Sequence, residues 1–131
     1  MKIEEFRAQF GTSSRRGSLV DSLENYIDCL NSSFSAIRVL VFGSFISDRS
    51  EPRDVDIIVH AVALPHDACF NSLGKLSDFA PEGIDVRGTL TSTFDKAPKL
   101  AEADTMVSDF NADKKNKESG IVCDSWVEID M

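Results

Sequence analysis

The chain has 131 residues, the length of one domain rather than two. Its 14 Lys and Arg against 22 Asp and Glu give a formal charge of −8, and 42% hydrophobic with 27% charged residues is the balance of a soluble globular protein. The acidic excess argues against broad binding of duplex nucleic acid or of an anionic membrane, since both need a basic face. No apolar run approaches the ~20 residues of a membrane span. The opening Met1-Lys2-Ile3-Glu4-Glu5-Phe6 carries two acids where a signal peptide has a basic start and an apolar stretch, so a cytoplasmic protein is expected.

In chain order, a short helix is predicted from about Ile3 to Phe10. A second follows, with Leu19, Val20, Leu23, Tyr26, Ile27 and Leu30 forming one apolar stripe, Ser13 or Ser14 capping its start and Asn31-Ser32-Ser33 ending it. Ile37 to Phe42 is β-branched and nearly all apolar, as in a strand covered on both faces, and it stops at Gly43-Ser44. Ser47 to Arg53 is a polar loop, and Asp54 to Ala61 a second strand. A helix is expected from Pro65 to Phe79, striped by Cys69, Leu73 and Leu76 with Phe70 beside them. A third strand spans Ile84 to Leu90, and a helix Ala97 to Phe110. A polar loop from Asn111 to Ser119 leads to a last strand, Ile121 to Ile129, with Trp126 on one face and Cys123, Val127 and Ile129 on the other. The order implies an α+β (mixed α/β) domain spanning residues 1–131, with a sheet of about four strands and helices packed on it.

Cys29, Cys69 and Cys123 are far apart, odd in number and form no CxxC pair, so they are expected to be free, buried thiols. With His60 and His66 alone they make no zinc quartet, and no Ser-His-Asp or Cys-His set stands out. His60 is expected to be a satisfied core or edge histidine, and Lys114, Lys115 and Lys117 a solvated loop.

The chemistry concentrates around Gly43-Ser44 and the acids Asp54, Asp56 and Asp85. Side chains two apart in a strand share a face, so Asp54 and Asp56 point the same way with Cα atoms ~6.6 Å apart. Two carboxylates opening an otherwise apolar strand repel each other unless a cation lies between them, and Mg²⁺ prefers such oxygen ligands. Asp85, flanked by Ile84 and Val86, brings a third carboxylate if its strand lies beside the second; three converging acids suit a two-metal phosphoryl-transfer site with ions ~3.5–4 Å apart. The glycine after a buried strand permits close backbone approach to a ligand, and a short helix beginning at Ser44 would face a phosphate. Arg49 and Arg53 either clamp a triphosphate or acceptor, or stay solvated or paired with Asp48 or Glu51. Arg87, two residues past Asp85 on the same face, can pair with that acid in competition with a metal.

The stretch Val39-Leu40-Val41-Phe42-Gly43-Ser44-Phe45, followed by Asp54-Val55-Asp56-Ile57-Ile58, resembles the signature of the nucleotidyltransferase superfamily with the DNA polymerase β-like fold. That resemblance covers about Ile37 to Leu90, and the small size is similar to that of the minimal, short bacterial members, which often act with toxin–antitoxin or defence partners. It implies Mg²⁺, two ions, at Asp54 and Asp56, with Asp85 as the base-side ligand, and Gly43 and Ser44 contacting a nucleoside triphosphate. The implied reaction is transfer of a nucleoside monophosphate from an NTP to an acceptor hydroxyl on a protein, an RNA end or a small molecule. A helical domain that grips a base or acceptor, as in larger members, is not expected from the segment after the core. The alternative expectation is therefore a non-catalytic module of that fold, an antitoxin-like or regulatory partner of another protein.

Overall fold

A computed structural model describes residues 1–48, 51–67, 70, 76–97 and 99–130. Helices α1 (Ile3–Phe10) and α2 (Ser14–Ser33) lead into strand β1 (Ala36–Phe42), then β2 (Val55–Ala63) and β3 (Ile84–Ser92), helices α3 (Ala103–Ala112) and α4 (Lys114–Glu118), and strand β4 (Trp126–Ile129). The protein is mixed α+β, built on a four-stranded sheet in the order β3-β2-β1-β4. β1 runs antiparallel to both β2 and β4, and β2 runs parallel to β3.

Alternation of side chains along β1 and β2 divides the core in two. Val39, Val41, Val55, Ile57 and Val59 face the α2 stripe, where Leu19, Val20, Leu23, Tyr26, Ile27 and Leu30 are all buried. Leu40, Phe42 and Ile58 face the other way, onto Met106, Val107 and Phe110 of α3. α1 closes one end of the first layer: Phe6 stacks on Phe45 with centroids 5.8 Å apart, while Arg7 bridges Asp21 and Glu24, each at 2.7 Å. Ser13 caps α2 by accepting the Arg16 amide, as its position suggests.

Several elements differ from the sequence reading, each because a side chain hydrogen-bonds backbone, near or far in sequence. No helix starts at Pro65: the Asp67 carboxylate accepts the Leu64 amide and the Ser35 hydroxyl, each at 2.7 Å, and bends the chain into a turn. Among the described residues of that stretch, Leu76–Phe79 forms a 3₁₀ turn; Cys69 and Leu73 lie outside the described residues. α3 starts at Ala103 rather than Ala97 because the Ala101 peptide is held to the sheet, its N–H donating to His60 Nδ1 at 3.0 Å and its carbonyl accepting from the Arg38 guanidinium. The expected loop 111–119 contains α4, whose start is capped by the Asp113 carboxylate accepting the amides of Lys115 and Asn116. The last strand is shorter than 121–129, because the Asn111 side chain takes both backbone groups of Cys123, donating to its carbonyl and accepting its N–H at 2.8 Å each. Cys123 accordingly packs with Trp126 on the α3 side, not with Val127 and Ile129. It is a buried free thiol, whereas Cys29 is free and exposed.

Candidate functional site

The polar groups gather where three strands meet. β1 ends at Phe42, whose ladder partner on β2 is Asp56; the partner of Asp56 on β3 is Asp85. Residues in register on neighbouring strands share a face, so both carboxylates emerge on the side that carries Phe42 and α3. Ile84 and Val86, flanking Asp85, turn inward to the α2 layer. The juxtaposition is fixed by β3: the Val55 amide donates to the Gly83 carbonyl at 2.7 Å, and Gly83, at φ +89°, packs so closely on Leu19 that a Cβ would lie 2.6 Å from its Cδ2. Asp54 stands just before β2, exposed.

Asp56 is the least comfortable of the three acids. Its pKa is pushed up to about 6, first by burial, then by the Asp85 charge and a hydrogen bond with the Asp85 side chain, and further by the Asp54 charge; Arg87 works against the rise. Gly43 closes on the same carboxylate. It sits at φ +79°, and a methyl group there would lie 2.7 Å from Asp56 Oδ2, so glycine is required both by the backbone and by the acid. The chain then makes one 3₁₀ turn, Gly43–Ile46, in place of the helix expected from Ser44, with the Ser44 carbonyl accepting the Ser47 amide and hydroxyl.

That turn is anchored by a residue the sequence reading passed over. Arg16 is buried, donates to the carbonyls of Phe45 at 2.7 Å, Ser47 at 3.2 Å and Phe10 at 3.3 Å, and lies over the Phe45 ring 5.0 Å from its centroid. The signal was present: Arg16 falls in line with Leu19, Val20 and Leu23 on the buried stripe, a place where a charge has to be satisfied. Arg53 stays exposed, and its carbonyl accepts from Arg15 at 2.6 Å; Arg49 lies outside the described residues. Arg87 does reach Asp85, Nη1 to Oδ1 at 3.2 Å. His60 is buried and satisfied as expected, with Nε2 3.4 Å from Thr91 Oγ1 in addition to its contact with Ala101. The three lysines are exposed, on α4 rather than in a loop.

A cleft of about 1120 Å³ runs between β2–β3 and α3–α4, lined by His60, Arg87, Thr89, Met106, Phe110 and Lys115 among others; Asp54, Asp56 and Asp85 do not line it, and it meets them through Arg87, the ion-pair partner of Asp85. Among the described residues no three His, Cys, Asp or Glu side chains stand in a ready-made metal cage. The donors present at Asp54, Asp56 and Asp85 are all carboxylate oxygens, the chemistry a hard divalent cation takes, and the surplus negative charge that lifts Asp56 is the charge such a cation would offset. Among the described residues no helix is long and apolar enough to cross a membrane.

The model of a family of unknown function, DUF6932, matches residues 1–125. No curated protein and no solved structure matches the chain.

Proposed function

The chain belongs to that family, and from the geometry at the ends of β1, β2 and β3 we propose that it is a Mg²⁺-dependent nucleotidyltransferase, with the polymerase β-like fold, that moves a nucleoside monophosphate from an NTP to an acceptor hydroxyl. One observation carries the reading: Asp56 stands in register with Asp85 on the neighbouring parallel strand, while a positive-φ glycine, Gly43, packs on the Asp56 carboxylate with no room for a Cβ. An apolar strand, a Gly-Ser turn and acids on two adjacent strands then meet at one end of the sheet.

Asp54, Asp56 and Asp85 would hold the metal, two ions in the full site, which when bound neutralises the triphosphate and lowers the pKa of the acceptor hydroxyl. The rest falls to the chain itself. Asp85 accepts the acceptor proton as the new O–Pα bond forms and the Pα–O bond to the β-phosphate breaks, releasing pyrophosphate. Gly43 lets the backbone approach the phosphates, Ser44 offers its hydroxyl, and Arg53 lies in the loop close enough in sequence to meet the phosphate tail. Arg16 keeps the turn from drifting.

The deciding experiment is the double variant Asp54→Ala with Asp56→Ala, assayed for Mg²⁺-dependent pyrophosphate release from NTPs and for an unchanged circular dichroism spectrum. Activity is expected to vanish with the fold retained. Wild-type turnover in the double variant would end the proposal. A second reading, a non-catalytic module that serves another protein as antitoxin-like or regulatory partner, is favoured by the Arg87–Asp85 ion pair, which occupies a carboxylate the metal would need. Calorimetry separates the two: no heat with Mg²⁺ and ATP, together with tight association with a co-purified protein, supports the module.

A further inference from the structure

The ion pair on Asp85 has a more specific meaning. β3 places Asp85 and Arg87 on one face, and the ladder sets Arg87 opposite Ile58, at the wall of the cleft. Its guanidinium reaches back 3.2 Å to Asp85 Oδ1 and lies near enough to Asp56 to counter part of that residue's burial and repulsion. Three acids crowd this point, and Arg87 is paired with one of them, Asp85, while its charge also reaches Asp56. An arginine cannot release its charge by losing a proton, so it leaves the carboxylates only by swinging away. Both partners of the pair are about two-fifths exposed, and neither is locked by packing, so the swing has little to oppose it.

We infer that Arg87 is a resident counter-cation of the carboxylate site, displaced from Asp85 when a divalent ion loads and then free to turn along the cleft onto the phosphates of a metal-bound nucleoside triphosphate. The inference rests on the nucleotidyltransferase reading and adds an order to it: the arginine guards the acids in the empty protein and binds polyphosphate in the loaded one. A guanidinium and a divalent ion compete for the same carboxylate oxygens, whereas the same guanidinium and a triphosphate attract, with two parallel N–H···O bonds available to the planar fork. One residue therefore opposes the metal alone and favours the metal with its nucleotide. A residue that merely braces β3 would shift neither binding equilibrium in this pattern.

The test uses the full chain at pH 8, with Mn²⁺ binding followed by electron paramagnetic resonance and the binding of an α,β-methylene ATP analogue with Mn²⁺ followed by calorimetry. Arg87→Gln is expected to bind Mn²⁺ alone about tenfold tighter, because a neighbouring like charge is gone, and to bind the Mn²⁺–nucleotide about 10- to 100-fold more weakly, because a charge-assisted pair is lost. Arg87→Lys keeps the charge but not the fork, and is expected to retain wild-type Mn²⁺ affinity while losing part of the nucleotide affinity. Opposite shifts in Arg87→Gln support the inference. Unchanged or equally weakened binding of both ligands overturns it and leaves the nucleotidyltransferase reading standing. Absence of Mn²⁺ binding in wild type and variant alike overturns both.

Discussion

The two faces of the sheet are built on opposite principles. On the α2 face every strand residue that points inward meets an aliphatic or aromatic partner, and the polar groups drawn in are fully engaged: Tyr26 donates to the Leu76 carbonyl at 2.8 Å and Arg16 spreads over three carbonyls. On the α3 face the apolar cluster is smaller, and the same strands carry Asp56, Asp85, Arg87 and His60, the last two lining an open cleft. One face holds the fold together, while the other accepts an acid whose pKa is pushed up to about 6 by burial and like charge. Burial of like charges on one side of a sheet is tolerated when the other side is closed by a packed apolar layer.

The comparison breaks most severely at Leu23. It is fully buried on the α2 face, and Leu23→Ala is expected to cost about 2–5 kcal/mol, read as a fall in the urea midpoint. Asp56→Asn on the opposite face should hold or raise that midpoint, since it removes a half-buried charge next to Asp85. A drop in Asp56→Asn as large as in Leu23→Ala would mean that the carboxylates are structural. Arg16 joins the two faces, for it sits in the α2 layer and anchors the turn that leads to Gly43. Arg16→Met leaves carbonyls short of donors and is expected to cost about 1–3 kcal/mol. Beyond that loss, under the proposed nucleotidyltransferase reading its KM for NTP should rise at temperatures where the variant stays folded, because the Gly43–Ile46 turn is no longer pinned. A KM equal to wild type would restrict Arg16 to stability.

Which parts of this were legible in the sequence follows from range. α1, α2 and the cores of β1, β2 and β3 announce themselves through periodicity, because each is decided by burial of its own side chains. The acids Asp54 and Asp56 were readable for the same reason, as charges at the mouth of an apolar strand, and Asp85 was placed beside Asp56 by a parallel ladder that sequence could only suppose. The late start of α3, the turn at Asp67 and the truncated β4 were not legible. Each depends at least in part on a side chain reaching a group distant in sequence: His60 and Arg38 on the Ala101 backbone, Asp67 on the Ser35 hydroxyl, Asn111 on the Cys123 backbone. Local pattern carries no record of such pairs. Arg16 falls between these cases, since its position on the apolar stripe was visible but its partners were not.

The smallest effect is the one on His60, and it tests whether the α3 face is coupled to the sheet by a single neutral ring. His60 Nδ1 accepts the Ala101 amide, so the ring must be unprotonated there. Burial first, and the Arg38 charge next, hold its pKa below the usual 6.5; Arg38 in turn pairs with Glu128 at 3.0 Å, and Thr91 faces the other ring nitrogen. The unfolded chain therefore binds the proton more readily than the folded one. The stabilisation from the neutral ring is complete above pH 6.5 and is lost as pH falls through 6.5 toward the lower folded value. Asp56 acts in the opposite direction, its raised pKa favouring the fold at low pH and losing that advantage as pH rises through about 6. The histidine contribution is thus read by difference, comparing urea midpoints of wild type and His60→Gln between pH 5 and pH 7.5. Wild type should exceed the glutamine variant at pH 7.5 by more than at pH 5, with hydrogen exchange at the Ala101 amide quickening as the pH falls below 6.5 once corrected for intrinsic rate. A gap between the two proteins that does not change with pH would mean that the start of α3 is held by Arg38 and not by the neutral imidazole.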